Sequence, residues 1–158
     1  EIYSWGDGKF GALGRQNSKG HGPSIVGNLL NKRIIFVSAG RQYCACLTSE
    51  NRCFAWGRNH DGQVGCRSDD HANSFVKSPT EVLPGLKLTA IVCGASHTLA
   101  LVEQQDKNLA KTMTVLYGWG DSSFYDSESQ IREPREITAV TRVIKAEKIE
   151  PLHVAAGE

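Results

Sequence analysis

Nowhere in the 158 residues does an apolar run approach the ~18 residues that a bilayer-spanning helix needs. The opening Glu1-Ile2-Tyr3-Ser4-Trp5 lacks the basic and apolar stretches of a secretion signal. Neither a membrane span nor an uncleaved leader is expected. An excess of one charge is also missing. Eighteen Lys and Arg against seventeen Asp and Glu leave a net charge of +1, which excludes the electrostatics of a nucleic-acid coat or an acidic tail. The cysteines (Cys44, Cys46, Cys53, Cys66 and Cys93) are odd in number and mostly embedded in apolar, strand-like runs, so a disulfide framework is not expected. A reducing cytoplasmic or nuclear location fits that usage. Sustained helical periodicity is scarce as well.

What the chain has is a 40% hydrophobic content, sixteen glycines and an internal rhythm. The hydrophobic fraction is enough for one folded domain. Tyr3-Ser4-Trp5-Gly6, Phe54-Ala55-Trp56-Gly57 and Tyr117-Gly118-Trp119-Gly120 repeat an aromatic, small, Trp, Gly unit that contains all three tryptophans. A second landmark keeps the same period: Val37-Ser38-Ala39-Gly40, Ile91-Val92-Cys93-Gly94 and Val154-Ala155-Ala156-Gly157. After it comes an alternating run, Tyr43 to Thr48 in one unit and His97 to Val102 in the next. Alternation sends Tyr43, Ala45 and Leu47 to one sheet face and Cys44 and Cys46 to the other. A hairpin at Ser49 to Arg52 leads into Cys53 to Gly57; in the next unit a polar excursion from Glu103 to Thr112 takes its place. Pro23, Pro79 and Pro134 are expected to open a fourth, outermost strand, where a missing N–H is tolerated. Four short antiparallel strands per unit make a propeller blade, so the fold class is all-β: a partial β-propeller of about three four-stranded blades, open rather than closed.

The V-x-x-G, H-T-x-A-L, Y-x-W-G and G-x-L-G elements resemble the regulator of chromosome condensation repeat, a family of seven-bladed β-propellers. The resemblance covers nearly all of 1–158, with landmarks at 3–14, 37–65, 91–119 and 154–158. Trp5, Gly6, Gly40, Trp56, Gly57, Gly94, His97, Trp119, Gly120 and Gly157 are its structural residues. Gly11-Ala12-Leu13-Gly14 and Gly62-Gln63-Val64-Gly65 carry the motif's tail; Phe124 to Glu128 departs from it, and Tyr43 stands where His97 stands one unit later. A closed ring at this spacing needs roughly 360–440 residues. The chain is therefore expected to be an excerpt, one that pairs with missing blades or with itself. A light-sensing member of the family places Trp just before the H-T-like strand; Arg41 and Ala95 occupy that slot here.

Several motifs invite chemistry and have a simpler account. Gly6-Asp7-Gly8-Lys9-Phe10-Gly11 spells a dinucleotide-binding string, but residues 12–20 lack the amphipathic helix that must follow. Cys44, Cys46 and Cys53, with His60, Cys66 or His71, have the wrong spacing for a zinc knuckle and read as small apolar core residues. Ser96 and His97 are strand neighbours pointing to opposite faces, so they do not form a nucleophile and base. Catalytic residues, cofactors and metals are not expected. The tryptophans are expected to pack between blades.

Between Asp7 and Glu50 there is no acidic residue, while Lys9, Arg15, Lys19, Lys32, Arg33 and Arg41 all fall there. These six are the candidate partner-binding residues. The loops Lys9 to Gly22, Arg58 to Ser78 and Gly120 to Arg132 occupy one inter-strand position and are the expected contact segments. The pattern points to a propeller-type protein-interaction module or scaffold. The resemblance implies an alternative, guanine nucleotide exchange on a Ran-like small GTPase with chromatin association, which needs no covalent catalysis. No recognition helix or aromatic interleaving supports direct base reading in nucleic acid.

Overall fold

The computed structural model describes residues 1–15, 22–66, 74–105, 111–121, 131–136 and 156. Among them are ten strands and no α-helix. β1 (Tyr3–Ser4) pairs with β2 (Ser24–Ile25). β3 (Ile34–Ala39), β4 (Tyr43–Thr48), β5 (Cys53–Arg58) and β6 (Phe75–Val82) form one antiparallel sheet in chain order. β7 (Lys87–Cys93), β8 (His97–Gln105), β9 (Thr112–Gly120) and β10 (Ile131–Glu136) form a second in the same order. The fold is all-β and open, with two complete four-stranded blades and a two-stranded piece of another. The landmark at Gly157 and the departing tail at Phe124 to Glu128 lie outside the described residues.

Side-chain alternation decides how the blades stack. Tyr43, Ala45 and Leu47 on β4, joined by Cys53 and Ala55 on β5, pack with Leu88, Ile91, Ala100, Val102, Val115 and Trp119 of the following sheet. Cys46, Phe54 and Trp56 face the other way, onto Val26, Leu29 and Ile2, with Cys44 beside them. β4 and β5 thus each serve two cores, and burying both faces between neighbouring sheets is the source of stability in a stacked repeat.

β2 starts directly after Pro23 as expected, but the other two outermost strands start earlier than their prolines imply. β6 begins at Phe75 and β10 at Ile131, so Pro79 and Pro134 sit inside them. Both strands have a register break there, between the Ala55 and Gly57 pairings in one sheet and between Ile131 and Arg135 in the other. A bulge leaves an extra residue off the ladder, so a proline without an N–H is accommodated at no loss of a ladder bond. The hairpin after β8 also pairs further than its polar composition suggests. Glu103, Gln104 and Gln105 remain in register with Thr114, Met113 and Thr112.

Candidate functional site

The tryptophan and glycine landmarks turn out to be one device. Trp56 on β5 donates its indole N–H to the Ala12 carbonyl at 3.0 Å, and Trp119 on β9 donates to the Gln63 carbonyl at 3.0 Å. Ala12 and Gln63 hold the same place in the preceding unit's G-x-L-G tail. The last glycine of that tail lies under the ring: a Cβ on Gly14 or Gly65 would come within 2.7 or 2.5 Å of the indole nitrogen of Trp56 or Trp119, and both glycines have positive φ. Trp56 and Trp119 are buried, whereas Trp5 is 63% exposed.

Tyr43 makes the reciprocal contact forward. Its hydroxyl donates to the His97 carbonyl at 2.5 Å and stands 3.0 Å from that of Gly94. Thr98 beside it donates to the Gln63 carbonyl at 2.7 Å. Burial first, then neighbouring Cys93, pushes the Tyr43 phenol far above its ordinary pKa. His97, at Tyr43's position one unit later, is buried too; desolvation lowers its pKa, and Asp121 opposes that.

These hooks hold a set of loops at one end of the sheets. Arg58 N–H bonds to the Gln42 carbonyl and Asp121 N–H to that of Ser96, both at 2.8 Å. Gly40 N–H bonds to Tyr43 and Gly94 N–H to His97, at 2.9 and 2.8 Å. At these strand ends the described backbone is bonded alike in both units, while the side chains differ. In the second tail Asn59 clamps its own loop, accepting from Val64 N–H at 2.9 Å and donating to the Cys66 carbonyl at 3.0 Å. Arg58 pairs with Asp61 at 3.9 Å, and His60 meets the edge of Phe10 from the first tail.

The six basic candidates divide between two ends. Lys9, Arg15 and Arg41 belong to this loop end. Lys9 pairs with Asp7 at 3.6 Å, Arg15 Nε donates to Ser4 Oγ at 3.3 Å, and Arg41 is exposed with its N–H on the Ala95 carbonyl. Lys32 and Arg33 precede β3 at the opposite end, about 20 Å away by strand rise. Lys32 stands over the Phe54 ring at 4.9 Å, and Arg33 is exposed. Lys19 lies outside the described residues. The loop end and the far end of the sheet are thus separate basic surfaces.

Lys9 to Gly11 form a single 3-10 turn, and Phe10 at its centre has φ 57°, so the glycine-rich string leads into no helix N-terminus. Gly11 is small for a different reason: a Cβ there would lie 2.8 Å from Lys77 Cα. The cysteines are free and buried or half-buried, and burial raises the pKa of Cys44, Cys46, Cys53 and Cys93. Sequence reasoning did not single out Gln63, whose backbone carbonyl takes two donors, or Asn59; a backbone acceptor leaves no mark in residue type, as Ala12 in the same role shows. A cavity of about 440 Å³ between β1 and β3, lined by Tyr3, Trp5, Leu13, Val37, Ala39 and Trp56, was also not foreseen.

Residues 1–47 and 50–101 match the model of the regulator of chromosome condensation (RCC1) repeat, and residues 34–63 match a second model of that repeat. The chain is similar to the ultraviolet-B receptor UVR8 of Arabidopsis thaliana, 36% identical over 76% of this chain and 25% of that protein. It is similar to the E3 ubiquitin-protein ligase HERC2 of Homo sapiens, 30% identical over 88% of this chain and 3% of that one. The chain therefore spans a quarter or less of these relatives. Among solved structures, Prp20p from Saccharomyces cerevisiae, studied with its binding to Gsp1p and histones, superposes with a TM-score of 0.69 at 21% identity, over 85% of this chain and 33% of that one. Human WBSCR16 superposes at 0.66 and 21% identity, over 85% of this chain and 34% of that one.

Proposed function

The chain belongs to the regulator of chromosome condensation repeat family, and from that premise we propose that residues 1–158 act as one partial propeller domain whose loop end engages a protein partner. The observation that carries this is the matched backbone bonding of the loops. Arg58 to Gln42 and Asp121 to Ser96 fix the two units alike, so Arg41 and His60 are displayed on a rigid frame, and the first tail that carries Lys9 and Arg15 is tied to it through Trp56 and the Ala12 carbonyl. A rigid frame lowers the ordering cost of binding, and the exposed cations Lys9 and Arg41 favour an acidic partner surface.

Exchange on a Ran-like GTPase is the second reading. It is supported by the likeness to Prp20p, and extends to chromatin through the histones named for that protein. Arg41 and Ala95 fill the slot where the light-sensing member carries tryptophan, which speaks against light sensing through that slot.

Release of a fluorescent guanine nucleotide from a Ran-like GTPase separates the two. The module reading expects binding without faster release, and binding that weakens with salt and on charge reversal at Arg15 and Lys19 while the melting temperature holds. Release above the spontaneous rate assigns exchange. If reversal unfolds the protein, those side chains serve the fold rather than the partner.

A further inference from the structure

β3 is the terminal strand of its sheet and is paired on one side only, with β4. Because Gly40 bonds across to Tyr43, alternate residues Ser38 and Phe36 turn their backbone groups toward β4, leaving those of Val37 and Ala39 on the open edge. An unpaired edge is a template for another strand. Its side chains are unusually apolar: Ile35, Phe36 and Val37 are all exposed.

Comparison with β7 shows which part of this exposure is particular to β3. Both strands have a register break at the same place, between Ile34 and Phe36 and between Leu88 and Ala90. Val37 corresponds to Ile91, which is buried where the preceding sheet covers it, so its exposure says nothing specific. Ile35 corresponds to Thr89, which stays exposed even with that sheet in place, and Phe36 to Ala90. At this bulge β3 presents a large apolar pair where β7 has a small polar and a small apolar residue.

Charge then selects the occupant. Arg33 before the strand and Arg41 after it are exposed, and neither has an ion-pair partner among the described residues. They bracket an edge of about 26 Å. A second copy pairing antiparallel about Val37 sets Arg33 against Arg41 at both ends, and a parallel copy sets like against like; both repel. An extended guest with acidic ends gains two attractions in the same place.

We propose that the open edge of β3 is a docking site for an extended peptide with an apolar middle and acidic ends, added to the sheet as a further strand. This deepens the interaction-module reading and rests on it. The test is fluorescence anisotropy of the full chain with a labelled peptide of about nine residues, acidic at both ends around alternating valine and threonine. It is run beside a lysine-ended version and a version with proline at its centre. The acidic peptide binds and both others fail. The double variant Arg33→Glu/Arg41→Glu, folded by circular dichroism, weakens it about tenfold and accepts the lysine-ended peptide instead. Phe36→Ser, which leaves both charges in place, weakens the acidic peptide as well. Equal binding of the acidic and lysine-ended peptides, indifference to the central proline, or a dimer of the wild-type chain that excludes the peptide overturns the site. Peptide failure with Arg15-dependent partner binding intact removes only this edge; loss of Arg15 dependence with peptide binding intact removes only the loop-end surface.

Discussion

The indole N–H of Trp119 meets the carbonyl of Gln63 at 3.0 Å across 56 residues of sequence, directly above Gly65. Trp56 and Ala12 repeat the arrangement over Gly14. A methyl at Gly65 meets the indole at 2.5 Å and forces an L residue to φ 79°. Gly65→Ala is therefore expected to cost about 2–4 kcal/mol, from left-handed backbone strain and overpacking together. Gly27→Ala, with nothing within 4 Å of its Cβ, is the control and stays within about 0.5 kcal/mol. Urea denaturation of the two variants checks both values.

The tryptophans are expected to differ in energetic weight although their motifs match. Trp119→Phe removes the donor to Gln63 and shrinks a buried ring, with an expected loss of about 2 kcal/mol. Trp5→Phe changes a side chain that is 63% exposed and costs under about 0.5 kcal/mol. Equal losses in chemical denaturation contradict the assignment of Trp119 as the blade hook.

Tyr43→Phe tests the forward contact. The phenol's single proton goes to the His97 carbonyl, which keeps the Gly94 N–H at 2.8 Å, so Tyr43→Phe leaves that carbonyl one donor short. One buried acceptor left short of a donor costs about 1–2 kcal/mol. Thermal melts of Tyr43→Phe and Tyr43→Leu separate the hydroxyl from the ring: the second falls further because it also loses packing.

The strand order and the two-faced cores were legible because period-two alternation fixes which side chain meets which neighbour. Tyr43, Ala45 and Leu47 parted from Cys44 and Cys46 as their spacing required. The starts of β6 and β10 were not legible. Proline marks a missing donor, yet a bulge supplies a place inside the strand where none is needed. Nor did the run of basic residues reveal that Arg41 and Arg33 sit at opposite ends, since a six-residue strand between them converts short sequence separation into length. The open edge of β3 was hidden for another reason: pairing partners are a property of topology, and Ile35 to Val37 reads equally well as a covered strand.

The thiols and the phenol set an alkaline limit. Burial raises Cys44 and Cys93 to about 11 and Cys46 to about 12 from an ordinary 9.0, and pushes Cys53 and the Tyr43 phenol well above their ordinary values too. Above pH ~9 the unfolded chain releases these protons while the folded chain keeps them, so the native state binds more protons and stability falls as pH rises. The stabilisation is complete below the unfolded thiol value and is lost through the folded values, with each titrating group adding a slope of about 1.4 kcal/mol per pH unit. His97 works in the opposite direction: burial lowers its pKa below 6.5, so its contribution is present above that value and fades on acidification. Urea midpoints are therefore expected to be level near pH 7–8 and to drop steeply beyond about 9, with the absorbance of the Cys44, Cys46, Cys53 and Cys93 thiolates appearing only as the protein unfolds. Cys46→Ala is expected to flatten the alkaline limb while lowering the plateau by its packing loss. A limb unchanged by Cys46→Ala, or thiolate absorbance at pH 9 from the folded Cys66→Ser variant, contradicts this account.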